Sequence, residues 1–340
     1  MQTASATPGE LLFLDRDVVE TVLDPAQCLD RVEDTFRWVG DDRIQQSNPY
    51  DLEVADMDDE YGLGLVQSFP AYVEPLGVAG HKWLGYVAGN ASRDLPTINA
   101  VNVLTDADTS LPLAIIEGQS VTAMRTAGHA AVGAKYLARE DSSVLTIVGC
   151  GDQGRTHLAM MNELFDLERV NACDIDDEVR SSFIDDMSAE FDVAIEGYTD
   201  AREAVSGADV VCTVTSATSP IVKEEWIDPG THLAATAGFY DLEPTVSSRA
   251  DKWVVGYYGR DWSWIRGEED NWTADGYSID EDDVHADLTE VISGDAAGRE
   301  SPEERTVMTH KGMPALDTAT MELVYQGAVE SDRGTGLSLF

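Results

Sequence analysis

Residues 141–176, DSSVLTIVGCGDQGRTHLAMMNELFDLERVNACDID, constrain the fold more than any other stretch of the chain. The apolar run Val144–Val148 is short and β-rich enough to be a buried parallel strand. It leads into Gly149, Gly151 and Gly154 at the spacing G-x-G-x-x-G, with Asp152 and Gln153 inside the loop. A helical pattern follows from His157 to Leu167, with Leu158, Met161 and Phe165 on one face, and then a second strand over Val170–Ile175 carrying Asp174. The glycine spacing is weak evidence alone. Between a strand and a helix, with an acid at the end of the next strand, it is a dinucleotide-binding fingerprint. Gly149 makes the tight turn, Gly151 lets backbone approach a pyrophosphate, and Gly154 permits close helix–strand packing. The helix N-terminus presents free N–H groups and partial positive charge to phosphates. Asp174 is placed to accept hydrogen bonds from ribose hydroxyls, which favours NAD over NADP.

The rhythm continues beyond this unit. A helix over Asp177–Glu190, a strand near Val193, a helix over Asp200–Ser206 and strands over Asp209–Thr215, Thr231–Ala237 and Lys252–Gly256 alternate in βαβ fashion. The fold class is α/β, with a doubly wound parallel sheet of Rossmann type. Thr215 and Ser216, at the carboxyl end of the Asp209–Thr215 strand, are expected beside the cofactor. The N-terminal half reads differently. A helix begins at Asp24-Pro25, residues 50–62 read as a polar loop, and Leu63–Phe69, Gly77–Tyr86, Thr97–Leu104 and Leu113–Glu117 read as antiparallel strands. Residues 256–287, with Trp262, Trp264, Trp272 and many acids, break the rhythm as an insertion or lid.

Charge narrows the partners. The chain carries 64 acids against 22 bases, a net charge of −42, so nucleic acid and anionic membrane surfaces are excluded as partners. The acids are spread along the chain, which suits a solvated surface screened by salt, as in a halophile's cytoplasm. No apolar run is long enough to span a bilayer, and MQTASATPGE lacks the features of a signal peptide, so the expected location is the cytoplasm. Cys28, Cys150, Cys173 and Cys212 are scattered and read as reduced and structural.

Because bases are scarce, two of them stand out. Lys82 lies among apolar neighbours in GVAGHKWLGY, and Arg125 lies in the helical stretch SVTAMRTAGHAAVGAKYLA, for which Ser120 is a candidate cap. A buried Arg needs a partner, and its planar fork matches a carboxylate at two points. That carboxylate is either a protein acid or a ligand. No metal motif is present, and Asp282, Asp283 and His285 read as solvated.

Taken in order, these pieces resemble the ornithine cyclodeaminase/mu-crystallin family, which includes alanine dehydrogenases and ketimine reductases. The segments that carry the resemblance are GHKWLGYVAGN, TAMRTAGHAAVGAKYLA, IVGCGDQGRTHL, CDID, CTVTSATSPIV and KGMPALDTATMELVY. It implies a Rossmann NAD-binding domain at 126–314. It also implies an α+β substrate-binding and dimerisation domain from 1–125 with 315–340, and a homodimer. Lys82 and Arg125 would contact the substrate, with Arg125 on the α-carboxylate and Arg43 as the nearest candidate for a second carboxylate Arg. The implied activity is that of an NAD-dependent oxidoreductase acting at the α-carbon of a small amino or imino acid. Alternatives are an ornithine cyclodeaminase releasing ammonia with internal hydride return, and a non-catalytic NAD-dependent binding protein. The chain departs from the family at ATAGFYDLEPTVSSRAD, where Phe239 falls near the expected catalytic Asp and Asp241 is the substitute acid/base candidate.

Overall fold

Along Val78–Leu84 the residues Val78, Gly80, Lys82 and Leu84 are buried and those between them are not, the two-residue period of a strand with one covered face. The computed structural model describes residues 10–55, 62–217, 219–236, 241–267 and 279–339. The chain divides into two compact units, Met1–Arg125 with Met313–Phe340, and Thr126–Gly312. The first ordered stretch comprises β1 (Glu10–Leu14), α1 (Arg16–Val22), α2 (Pro25–Gly40), β2 (Ile44–Gln46), β3 (Tyr50–Ala55), β4 (Gly64–Val73), β5 (Val78–Val87), β6 (Ile98–Asp106), β7 (Pro112–Glu117) and α3 (Gly118–Leu137). Next come β8 (Val144–Val148), α4 (Asp152–Asn162), β9 (Arg169–Cys173), α5 (Asp177–Glu190), β10 (Ala194–Tyr198), α6 (Ala201–Val205), β11 (Val210–Thr213) and β12 (His232–Ala235). They are followed by α7 (Pro244–Ser248), β13 (Lys252–Val255), α8 (Tyr258–Gly267), β14 (Ala286–Asp287), α9 (Leu288–Ser293) and β15 (Thr306–Thr309). The chain returns to the first unit with α10 (Pro314–Glu330) and β16 (Thr335–Ser338).

In the first unit the strand order is β16-β1-β7-β6-β5-β4-β2, with β3 paired to β4. Neighbours are antiparallel except β1 and β7. Helix α10 lies on β4 and β5 and packs against α2. Most of α10 is buried, as its mixture of small and apolar residues allows. Its approach to the sheet is close enough that a Cβ on Gly80 would stand 2.4 Å from Thr318 Oγ1. Asp24 caps α2, accepting from Gln27 N, with Pro25 in the first turn. Two details differ from expectation. Tyr50–Ala55 is a strand, not loop; its signal was the alternation Tyr50, Leu52, Val54. Helix α3 starts before Ser120, and the Glu117 carboxylate caps it by accepting from Gln119 N and Ser120 N.

In the second unit all strands pair in parallel, in the order β10-β9-β8-β11-β12-β15-β13-β14. The winding reverses between β8 and β11, the place where ligands bind at the carboxyl edge of such sheets. Strand β15, not anticipated, inserts between β12 and β13; its four residues, TVMT, are buried and too few to show a period. Helix α4 begins at Asp152, directly after the glycine turn and earlier than its apolar spacing suggested. The expectations for residues 1–9, Phe239 and Trp272 fall outside the described residues, while Tyr258–Gly267 is helix α8. Among the described residues no helix is long and apolar enough to cross a membrane.

The closeness of α10 to β5 gives a packing test. Gly80→Ala should destabilise the fold by about 1–3 kcal/mol, the usual cost of forcing extra carbon into a packed layer, measured by urea unfolding. Unchanged stability would mean that the helix can shift away from the strand.

Candidate active site

The first unit builds a buried charge cluster. Lys82 projects from the covered face of β5, Arg125 comes from α3 and Asp317 from α10. Lys82 Nζ and Arg125 Nε each donate to Asp317 Oδ1 at 2.8 Å. Lys82 Nζ also lies 3.4 Å from Thr122 Oγ1 and 4.3 Å from the centroid of the Phe69 ring. Lys82 and Asp317 are fully buried, and Arg125 is 5% exposed. Burial disfavours the Asp317 carboxylate, but the charges and hydrogen bonds of Arg125 and Lys82 outweigh it and hold this carboxyl below the usual range. Two basic groups thus share one carboxylate oxygen in a buried place. Arg125 gives only its Nε to Asp317.

The second unit builds a dinucleotide cradle. Gly149 has φ +105°, and a Cβ there would meet Val214 O at 2.8 Å, so the turn is pressed against the segment after β11. A Cβ on Gly154 would stand 2.3 Å from Gly149 O, whereas one on Gly151 would meet nothing within 4 Å. The first and third glycines are thus needed by the protein, and the middle one leaves room for a ligand. Gly151 is the N-cap of α4, so the N–H groups of the first turn are free for phosphate. Asp152 is exposed there, and the Gln153 Oε1 atom is buried without a partner. Asp174, just past β9, is oriented by Cys150 N (2.8 Å) and Asp176 N (3.0 Å), beside Ile175, which is 91% exposed. These residues fit a dinucleotide's pyrophosphate and ribose.

Thr215 and Asp241 form a brace at the same edge. Thr215 Oγ1 donates to Asp241 Oδ1 at 2.7 Å, and Ala217 N donates to Thr215 Oγ1 at 3.0 Å. Ser216 is exposed beside them. Burial raises the Asp241 carboxyl, partly offset by its bonds from Thr215. Asp241 is fully buried. Asp241, the expected acid/base candidate, is thus enclosed here and engaged by Thr215, and its carboxyl positions that turn.

A further network was not anticipated. His157 Nδ1 lies 2.7 Å from Gln153 O, and its Nε2 lies 2.8 Å from Thr236 Oγ1, which lies 3.2 Å from His310 Nε2. A carbonyl only accepts, so His157 carries its proton on Nδ1. Thr236 then donates to His157 Nε2, and His310 donates to Thr236. This chain of hydrogen bonds ties the first turn of α4 to the segments after β12 and β15. Burial pushes the His157 imidazole down to about 4 from 6.5.

Arg43 is not brought to the cluster. It pairs with Glu74 at 3.1 Å, both largely exposed. Ile44 is opposite Val73 while Lys82 is opposite Phe69, which puts Arg43 about 13 Å or more along β4 from Lys82 at ~3.3 Å per residue. Asp317 was missed because an acid in a helix gives no local sign of a partner 235 residues away. No metal-binding group of His, Cys, Asp and Glu occurs among the described residues, and the four cysteines are free and buried.

A parallel sheet with a glycine turn at its switch point, together with a buried cationic cluster in a second unit, defines a dinucleotide-binding fold of two-unit construction. The sequence profile of the ornithine cyclodeaminase/mu-crystallin family matches residues 10–332, and the chain belongs to that family. It is 31% identical to the alanine dehydrogenase of Archaeoglobus fulgidus over 335 residues, covering 97% of this chain and 99% of that one. Among solved structures, it resembles the Thermococcus litoralis Δ1-pyrroline-2-carboxylate reductase in complex with NADH and L-proline (TM-score 0.87, 29% identity, 96% of this chain and 99% of that one). It also resembles an archaeal alanine dehydrogenase dimer with bound NAD (TM-score 0.85, 29% identity, 97% and 100%).

The histidine network predicts a pH effect. Above pH 6.5 neither state protonates His157; between 6.5 and about 4 the unfolded chain takes the proton and the native protein does not. Stability therefore falls as pH drops through that window, by up to ~1.4 kcal/mol per pH unit for this group. Urea unfolding from pH 7 to pH 5 should show a shallower decline for His157→Gln than for the unmodified protein. Parallel declines would contradict the assignment.

Proposed function

We propose that the protein is an NAD-dependent oxidoreductase acting at the α-carbon of a small amino or imino acid. The observation that carries this reading is the placement of two buried basic groups, Lys82 and Arg125, on one Asp317 oxygen, with only the Nε edge of Arg125 spent on that carboxylate, in a chain that also holds a dinucleotide cradle. The relatives' names, alanine dehydrogenase and pyrroline-2-carboxylate reductase, agree with it. Bound NAD supplies the hydride acceptor. Asp317 fixes the Nε edge of Arg125, so the terminal nitrogens are set to grip a substrate carboxylate at two points and orient Cα. Lys82, 2.8 Å from Asp317, can pass a proton to or from the substrate's α-nitrogen. Gly149, Gly151, Asp152, Gln153, Gly154, Asp174, Thr215 and Ser216 form the cofactor site. The acids at Asp174, Asp176 and Asp177 disfavour a 2′-phosphate, so NAD is preferred to NADP.

On this reading the unit 1–125 with 313–340 binds substrate and forms a homodimer. Phe13, Tyr50, Leu52, Trp83 and Val101 are exposed on the sheet face opposite α10, an apolar surface suited to a second copy. The acidic surface is that of a halophilic protein.

Two experiments follow. With a panel of L-amino acids, net NADH formation with NAD and far slower turnover with NADP is expected. Ammonia release without net NADH would identify a cyclodeaminase, and no turnover or binding would leave a non-catalytic NAD protein. The net charge of −42 should make the melting temperature fall as KCl is lowered from molar to millimolar, because the Debye length grows from about 3 Å at 1 M to about 30 Å at 0.01 M. A melting temperature that holds or rises on dilution would contradict the halophilic reading.

A further inference from the structure

Asn102 has no evident reason to be polar. It sits on β6 and is fully buried, and neither Nδ2 nor Oδ1 has a hydrogen-bond partner. Across the sheet its row runs Phe69, Lys82, Asn102, Ile116, Leu14. Apart from Lys82 the other members are apolar, so a Leu or Val at 102 would complete the layer. A buried carboxamide with four unmet hydrogen-bonding valences lowers stability, and native proteins carry such groups chiefly where something else meets them.

The position says what that is. Asn102 is directly opposite Lys82, so the two side chains leave the same face with Cβ atoms about 4.5–5.5 Å apart. It therefore adjoins the cluster in which Lys82 and Arg125 share one carboxylate oxygen. A third unmet atom, Asp317 Oδ2, belongs to the same cluster. The carboxylate donor expected at Arg43 is absent from this place, because Arg43 is committed to Glu74 at the exposed end of the ladder.

We propose that Asn102 is a substrate-binding, specificity-determining residue whose Nδ2 donates to the carboxylate held by Arg125, with Oδ1 accepting from the substrate's α-nitrogen. An α-amino or α-imino acid carries this acceptor and donor side by side, which is why a carboxamide satisfies both where a second cation satisfies only one. The proposal rests on the carboxylate-site reading of the Lys82–Arg125–Asp317 cluster.

The test uses the full-length protein and the variants Asn102→Leu and Asn102→Asp. Melting temperature, NADH affinity, and the shift in melting temperature caused by pyruvate, L-alanine or L-proline in the presence of NADH are measured together with kcat and KM. Asn102→Leu should melt at or above the temperature of the unmodified protein and bind NADH within about twofold. Its KM should rise about tenfold or more, with the carboxylate-induced shift lost, as for a lost hydrogen bond to a charged group. Asn102→Asp, isosteric but without the donor and repelling a carboxylate, should raise KM further. A lower melting temperature for Asn102→Leu with KM unchanged would overturn the proposal and make Asn102 a structural group bonded to buried water. An Asn102→Asp variant with normal KM would overturn it as well. If the unmodified protein neither turns over nor responds to any of the three acids, the carboxylate-site reading fails, and this proposal with it.

Discussion

The shared bond from Lys82 and Arg125 to Asp317 Oδ1 is the interaction on which the first unit depends. Two buried cations cannot remain charged without a counter-ion, and removing one partner of such a group typically costs about 3–5 kcal/mol. The counter-ion comes from α10, near the end of the chain, and reaches the sheet because Gly80 offers no side chain under Thr318. Closing the first unit with the returning helix and building the cationic cluster are thus one event. One carboxylate oxygen serves both basic groups, and Asp317 Oδ2 is left without a hydrogen bond. A stability-optimised core would hold an apolar residue in place of each of these groups.

In the second unit the carboxyl edge of the sheet is held by buried hydrogen bonds. Asp241 fixes the Thr215 turn, and the His310–Thr236–His157 chain ends on the Gln153 carbonyl in the first turn of α4. The rigid positions are set by buried polar groups that bond to one another. This leaves the N-terminal N–H groups of α4 and the oriented Asp174 as the groups presented to a dinucleotide.

Much of this was legible in the sequence. The glycine turn, its flanking strands, Asp174, the Asp24 cap and the extent of α5 follow from local spacing and cap chemistry, which depend on residues a few positions apart. What was not legible depends on tertiary neighbours. Asp317 is one acid in a helix until it meets Lys82. His157 reads as a helix residue until Thr236 approaches from another strand. Asn102 reads as one polar position in a strand until its lack of partners is seen. Strand β15 is buried on both faces and only four residues long, so it has no periodic signature, and Arg43 looked eligible because sequence order does not show which end of a ladder a residue occupies.

If Arg125 anchors a substrate carboxylate as proposed, hydride leaves the α-carbon of that substrate for NAD. The most direct measurement is mass spectrometry of the nicotinamide product formed from amino acids deuterated at Cα. One deuterium is expected in each NADH formed, with a slower rate than for the protiated acid. Recovery of NAD unlabelled and unreduced, with deuterium retained at Cα for every acid tried, would contradict it.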